Sequence, residues 1–99
     1  MTNTDKKALK RLYEAILLLE NTEECENFFE DICTFGELEA IAQRLSVAEK
    51  LLSGKVYSEI SEETGASTAT VCRVNRCIKY GVGGYKTVID RLSEEKNDD

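Results

Sequence analysis

The chain contains no proline, and its six glycines stand only at positions 36, 54, 65, 81, 83 and 84. Proline and interior glycine are the residues that interrupt helices. Between the glycines, apolar residues recur at steps of three and four. No stretch sustains the two-residue alternation of a half-buried strand. These features predict an all-α chain.

The first helix is predicted from about Asp5 to Glu20, with Leu9, Leu12, Tyr13, Ile16, Leu17 and Leu19 on its apolar side. That side is wide enough to need cover on more than one flank. Asn21 with Glu24, and again Thr34 with Glu37, have the spacing of a capping box. The first opens a short helix anchored by Phe28, Phe29 and Ile32. The second opens a longer one, Phe35 to Ser53, with Leu38, Ile41, Ala42, Leu45, Ala48 and Leu52 as its stripe. Phe35, Val47 and Leu51 widen that stripe. Gly54 stands where a left-handed residue closes a helix. Two short helices follow, about Ser58 to Thr64 and Ser67 or Thr68 to Tyr80, and Gly81 ends the second. The GVGG run at 81–84 reads as a helix stop and a joint. The last helix spans about Tyr85 to Ser93, with Val88, Ile89 and Leu92, and the charged tail EEKNDD is expected to fray.

At 99 residues, with 41% apolar and 32% charged residues, this is one globular domain, 1–99, with a modest core. The N-terminal MTNTDKKALKRLYEA has no hydrophobic signal core, and no apolar run is long enough to cross a bilayer. A cytoplasmic protein is the expectation. There is no histidine, and the four cysteines, Cys25, Cys33, Cys72 and Cys77, form no C-x-x-C pair. They read as small apolar residues rather than metal ligands. The breadth of the apolar stripes predicts a homodimer that buries them, with a compact monomeric bundle as the competing arrangement.

Charge is distributed unevenly. Net charge is -6, and 14 of the 19 acidic residues precede position 64, yet Thr64 to Lys79 holds no acid and three bases. The same segment carries a helix-turn-helix pattern over about 57–80. Ile60 faces inward, Ser61 is small where two helices cross, and Gly65 sits at the turn, where positive φ is needed. Val71 and Val74 pin the second helix to the first. Its other side presents Ser67, Thr68, Thr70, Arg73, Asn75, Arg76 and Lys79. Short hydroxyls allow close approach to phosphates, and arginine can bond two atoms of a guanine in the major groove. This is a local basic footprint on an acidic protein, and it points to double-stranded DNA. A bland role for these bases, complementing the helix C-terminus, suits Lys79. It leaves the absence of acids unexplained.

The run LEAIAQRLSVAEKLLSGKVYSEISEETGASTATVCRVNRCIKYG resembles the core of the tryptophan repressor superfamily. It is closer still to the small Trp-repressor-like YerC/YecD group, from about Leu9 to Leu92. The resemblance implies six helices, an intertwined homodimer and a palindromic operator bound by two helix-turn-helix units. It also places Arg44 and Arg73 at positions that frame an amino-acid co-repressor. Two neighbouring positions depart from the pattern: Val74 stands for a glycine and Cys77 for a ligand-contacting serine. The alignment needs a one-residue gap between Val56 and Ile60. A small effector held by Arg44, Arg73 and Cys77 is therefore open, and tryptophan is not the expected one.

The function expected is a sequence-specific DNA-binding transcriptional regulator, a repressor by occupancy. The alternative is a helix-turn-helix protein-interaction module that does not bind DNA. No phosphate loop, histidine base or metal-ligand spacing is present, so no enzymatic activity is expected.

Overall fold

The computed structural model describes residues 2–97. Six helices follow one another: α1 (Asn3–Leu17), α2 (Thr22–Ile32), α3 (Phe35–Leu52), α4 (Tyr57–Thr64), α5 (Thr68–Tyr80) and α6 (Gly84–Asn97). No strand occurs among the described residues. The helices group into two compact units, one up to Leu38 and one from Glu39 onward. The first holds α1, α2 and the start of α3.

In the first unit, the helix starts are fixed by side chains that satisfy free backbone N–H groups. Thr2 Oγ1 accepts from the Asp5 N–H at 3.2 Å, and Asp5 Oδ2 accepts from the Thr2 N–H at 3.3 Å. This cap starts α1 two residues before the expected Asp5. Its end also comes early, at Leu17. There the Leu18 and Leu19 N–H groups turn to the carbonyls of Ala15 and Ile16 and tighten the last turn.

The two capping pairs expected from spacing differ in detail. Asn21 Oδ1 accepts from the Glu24 N–H at 2.8 Å, while Glu24 Oε1 accepts from Glu20, one residue earlier than a capping box requires. The Thr34–Glu37 pair is fully reciprocal, with bonds of 2.8 and 3.1 Å. Hydrogen bonds from the Thr34 backbone and then its hydroxyl hold the Glu37 carboxyl below its usual range.

No described residue of this first unit is buried. Leu9, Leu12, Ile16, Leu19, Phe28 and Phe29 are half-buried. Leu17 and Leu18 are 84% and 78% exposed, and Phe35 is 80% exposed.

The second unit has a core to which every helix contributes. Val47 and Ala48 come from α3, Ile60 from α4, Ala66 from the turn, Val71 and Val74 from α5, and Ile89 from α6. Leu45, Leu51, Ile78 and Tyr85 pack around them. Burying each larger side chain contributes about 1.5–3 kcal/mol.

α3 buries only part of its predicted apolar face in this core. Ala48 from the stripe and Val47 from its flank are buried, with Leu45 and Leu51 packed around them, whereas Ile41 and Leu52 of the same stripe stay 45% and 39% exposed. The face is broad, and α4, α5 and α6 take one part of it. α3 closes as its sequence predicts. Gly54 adopts φ 88, its N–H bonds Leu51, and the Lys55 N–H reaches back to Lys50.

α6 outlasts the expectation of a frayed tail. It continues through Asn97, because Glu94, Glu95 and Lys96 are good helix formers. Residues 98–99 of that tail lie outside the described residues.

Candidate nucleic-acid interface

α4, the turn 65–67 and α5 form one rigid corner. Ile60 on α4 meets Val71 and Val74 on α5, and all three are wholly buried or nearly so. Gly65 takes φ 74, a left-handed conformation that strains any side chain. Its N–H closes α4 on the Ser61 carbonyl at 2.9 Å. The Thr64 hydroxyl donates to the Ile60 carbonyl at 2.6 Å and accepts from the Ala66 N–H at 3.1 Å. Ala66 itself is buried against the core.

Ser67 then caps α5. Its Oγ accepts from the Thr70 N–H at 3.1 Å, and its hydroxyl donates to Thr70 Oγ1 at 3.1 Å. Thus two of the hydroxyls expected at the interface also build the helix start.

α3 and the loop after it hold this corner from behind. Gln43 Nε2 donates to the Thr64 carbonyl at 3.2 Å. Glu63 bridges Lys50 at 3.1 Å and Lys55 at 2.9 Å. Bonds from Lys55 and then Lys50 hold the Glu63 carboxyl low, and Glu63 in turn raises Lys55.

Along α5, Val71, Val74 and Ile78 make the inner stripe. Opposite them, Ala69, Arg73, Arg76 and Tyr80 recur at steps of four, three and four, so they share one outward stripe. All four are exposed, as are Ser67, Thr68 and Lys79. Thr70 and Asn75 are half-buried at the shoulders between the two stripes.

Sequence reasoning missed Ala69 and Tyr80. The helical wheel would have found both, and Tyr80 is 83% exposed. It also stopped the acid-free run too soon. The run continues to Ile89 and adds Lys86 on α6.

The three candidate effector residues separate. Arg44, half-buried, and Cys77, exposed, line one cavity of about 700 Å³ with Ile41, Leu45, Tyr85 and Val88. Arg73 is not part of its lining. Val74, which stands where the pattern has a glycine, is buried in the core and lines no part of the cavity. Besides Ile41, Leu45, Val82 and Val88, the lining takes in Arg44, Cys77, Tyr85 and the glycines at 81, 83 and 84.

Cys25, Cys33, Cys72 and Cys77 are all free thiols. Among the described residues no three Cys, Asp or Glu side chains converge as a metal site requires. Among the same residues no helix is long and apolar enough to cross a membrane.

Residues 7–93 match the Trp repressor protein family. YerC, an uncharacterized protein of Bacillus subtilis (strain 168), is 47% identical over 92 residues, which cover 93% of this chain and 88% of YerC. The crystal structure of a TrpR-like protein from Eubacterium eligens ATCC 27750 matches with a TM-score of 0.85 and 46% identity, over 88% of this chain and 90% of that one. A candidate Trp repressor from Staphylococcus aureus matches with a TM-score of 0.85 and 43% identity, over 94% of this chain and 96% of that one. By sequence over most of its length, and by fold, this chain belongs to the Trp repressor family.

Proposed function

We propose that the chain is a sequence-specific DNA-binding transcriptional regulator. In this reading it is a cytoplasmic repressor that occupies a palindromic operator as a homodimer. The observation that carries it is the outward face of α5. Arg73 and Arg76 stand exposed on one stripe, with Lys79 beside them, in a segment free of acids. The helix behind that stripe is locked by Ile60, Val71 and Val74, so the side chains start from a fixed base.

Arg73 and Arg76 reach base edges in the major groove, where a guanidinium can bond O6 and N7 of guanine together. Thr68, Lys79 and the first backbone N–H groups of α5 take phosphate oxygens. Ser67 and Thr70 shape the N-terminal end that approaches the backbone, and Asn75 works from the shoulder. The net charge of -6 confines attraction to this face.

Homodimerisation is supported by the first unit, which exposes Tyr13, Leu17, Leu18, Ile32 and Phe35. Apolar surface of that extent marks an association site. Two reading heads in a twofold dimer then meet half-sites about 34 Å apart. A small co-repressor, in this reading, enters the cavity beside Arg44. An apolar body with an anionic group suits it; the Cys77 thiol is a weak donor.

Selection of bound fragments from a genomic duplex library tests the reading, followed by titration of the selected site at several salt concentrations. A shared palindrome, bound with log affinity falling linearly in log salt, is the expected result. A chain that retains no duplex in dilute buffer is instead an interaction module.

A further inference from the structure

The bonds that shape the turn between α4 and α5 are nearly all local. Thr64 bonds Ile60 and Ala66, and Ser67 bonds Thr70. Such bonds fix the form of the corner but not its direction on the rest of the unit. The apolar contacts of Ile60, Val71 and Val74 lock α4 and α5 to each other, and they add no directional bond from the corner to α3.

One neutral bond crosses from α3. Gln43 Nε2 donates to the Thr64 carbonyl, the last of α4, at 3.2 Å, in a part-buried position. The same nitrogen lies 4.0 Å from where a Cβ on Gly65 would stand, so the amide sits over the turn itself. The other tie is ionic. Lys50, two turns along α3 on the same face as Gln43, meets Glu63 in a solvent-accessible pair that salt screens.

We infer that Gln43 is a positioning residue for DNA reading: its amide fixes how the α4–α5 corner is rolled on α3. The inference rests on α5 being the face that reads DNA. A binding constellation must be held to about 0.5 Å, and a small roll of the corner is magnified at the tips of Arg73 and Arg76. Losing the Gln43 bond leaves the corner folded and its charges in place. General attraction to phosphates therefore survives, and base discrimination does not.

Two variants of the full chain test this. Gln43→Met keeps the length and removes the donor; Gln43→Lys restores a donor at similar reach. The measurements are amide exchange at Gly65 and Ala66 in the free protein, and affinities for the selected operator and a random duplex across salt. In Gln43→Met the operator-to-random ratio is expected to fall about three- to tenfold, the effect of one hydrogen bond. The random-duplex affinity and the salt slope stay at wild-type values, and the thermal midpoint falls only by the few degrees that one hydrogen bond accounts for. The Gly65 and Ala66 amides exchange faster. Gln43→Lys recovers most of both losses.

An unchanged ratio with unchanged exchange overturns the inference. So does a Gln43→Met chain that unfolds, or one whose two affinities fall together, since either makes Gln43 a purely structural residue. A wild type without duplex preference defeats the DNA reading instead. The exchange rates then still decide whether Gln43 holds the turn.

Discussion

The unit up to Leu38 and the unit from Glu39 onward are built from the same kind of amphipathic helix, yet their side chains end differently. In the first, no described residue is buried; in the second, seven apolar residues close a core. The first is held at its helix starts, by Thr2, Asn21 and Thr34. The second is held across helices, by Ile60, Val71 and Val74 and by Gln43 and Glu63. Their charges differ too. The first carries nine acids and four bases, the second ten and nine. The difference lies in burial rather than in exposure alone: the first unit exposes Leu17, Leu18 and Phe35 and buries none of its described residues, while the second closes a core and still exposes Ile41, Val82 and Val88.

The largest effect is expected in the core. Ile60→Ala should cost about 2–5 kcal/mol, through lost burial and the cavity left behind. Urea unfolding at several protein concentrations would show this loss at every one of them. A loss below 1 kcal/mol would mean that the second unit is not the better packed.

Next comes Leu17→Asp, which puts a carboxylate on the open face of α1. If the chain pairs as proposed, sedimentation equilibrium should show the variant dissociating about thirtyfold or more readily, as for a substantial interface residue. If the variant associates as the wild type does, the exposed side chains of the first unit are not the interface.

Arg76→Ala sharpens the other half of the comparison. Operator binding should weaken by about 1–3 kcal/mol and discrimination should relax, with the thermal midpoint unmoved. Lys79→Ala should instead weaken all duplexes alike and flatten the salt slope by about one. Gel-shift titrations at graded salt separate the two behaviours.

The smallest effect belongs to Glu63→Gln, which removes exposed ion pairs with Lys50 and Lys55. The folded carboxyl is held low. Its contribution is therefore present above the ordinary carboxylate pKa and fades as pH falls through the lowered one. Thermal melts should show a shallower acid limb in the variant. High salt should shrink the difference near neutral pH.

Much of this was legible in the chain. Thr34 with Glu37 announced a helix start, Gly54 a helix end and Gly65 a left-handed turn, and all three do so in the structure. The Thr2–Asp5 cap has the same threonine–acid spacing and could have been read as well. The inner stripe of α5, Val71 and Val74, was also readable, and with it the outward placing of Arg73 and Arg76. Less was readable for α3. Its predicted apolar face included Val47 and Ala48, which are buried, but also Ile41 and Leu52, which stay largely exposed. An apolar face that broad gives no rule for which part of it is covered. Nor did any spacing link Gln43 to Thr64, or bring Arg44 and Cys77 to one cavity while leaving Arg73 out.

The sequence by itself determined the helices, their caps and the glycine turn. Those depend on bonds and backbone angles among residues a few positions apart, and that information is written locally. Only the tertiary structure decided which apolar residues became core, which side chains share a cavity and which amide meets the α4–α5 turn. Each of these depends on the distance between groups remote in the chain, and periodicity names a face without naming what will meet it.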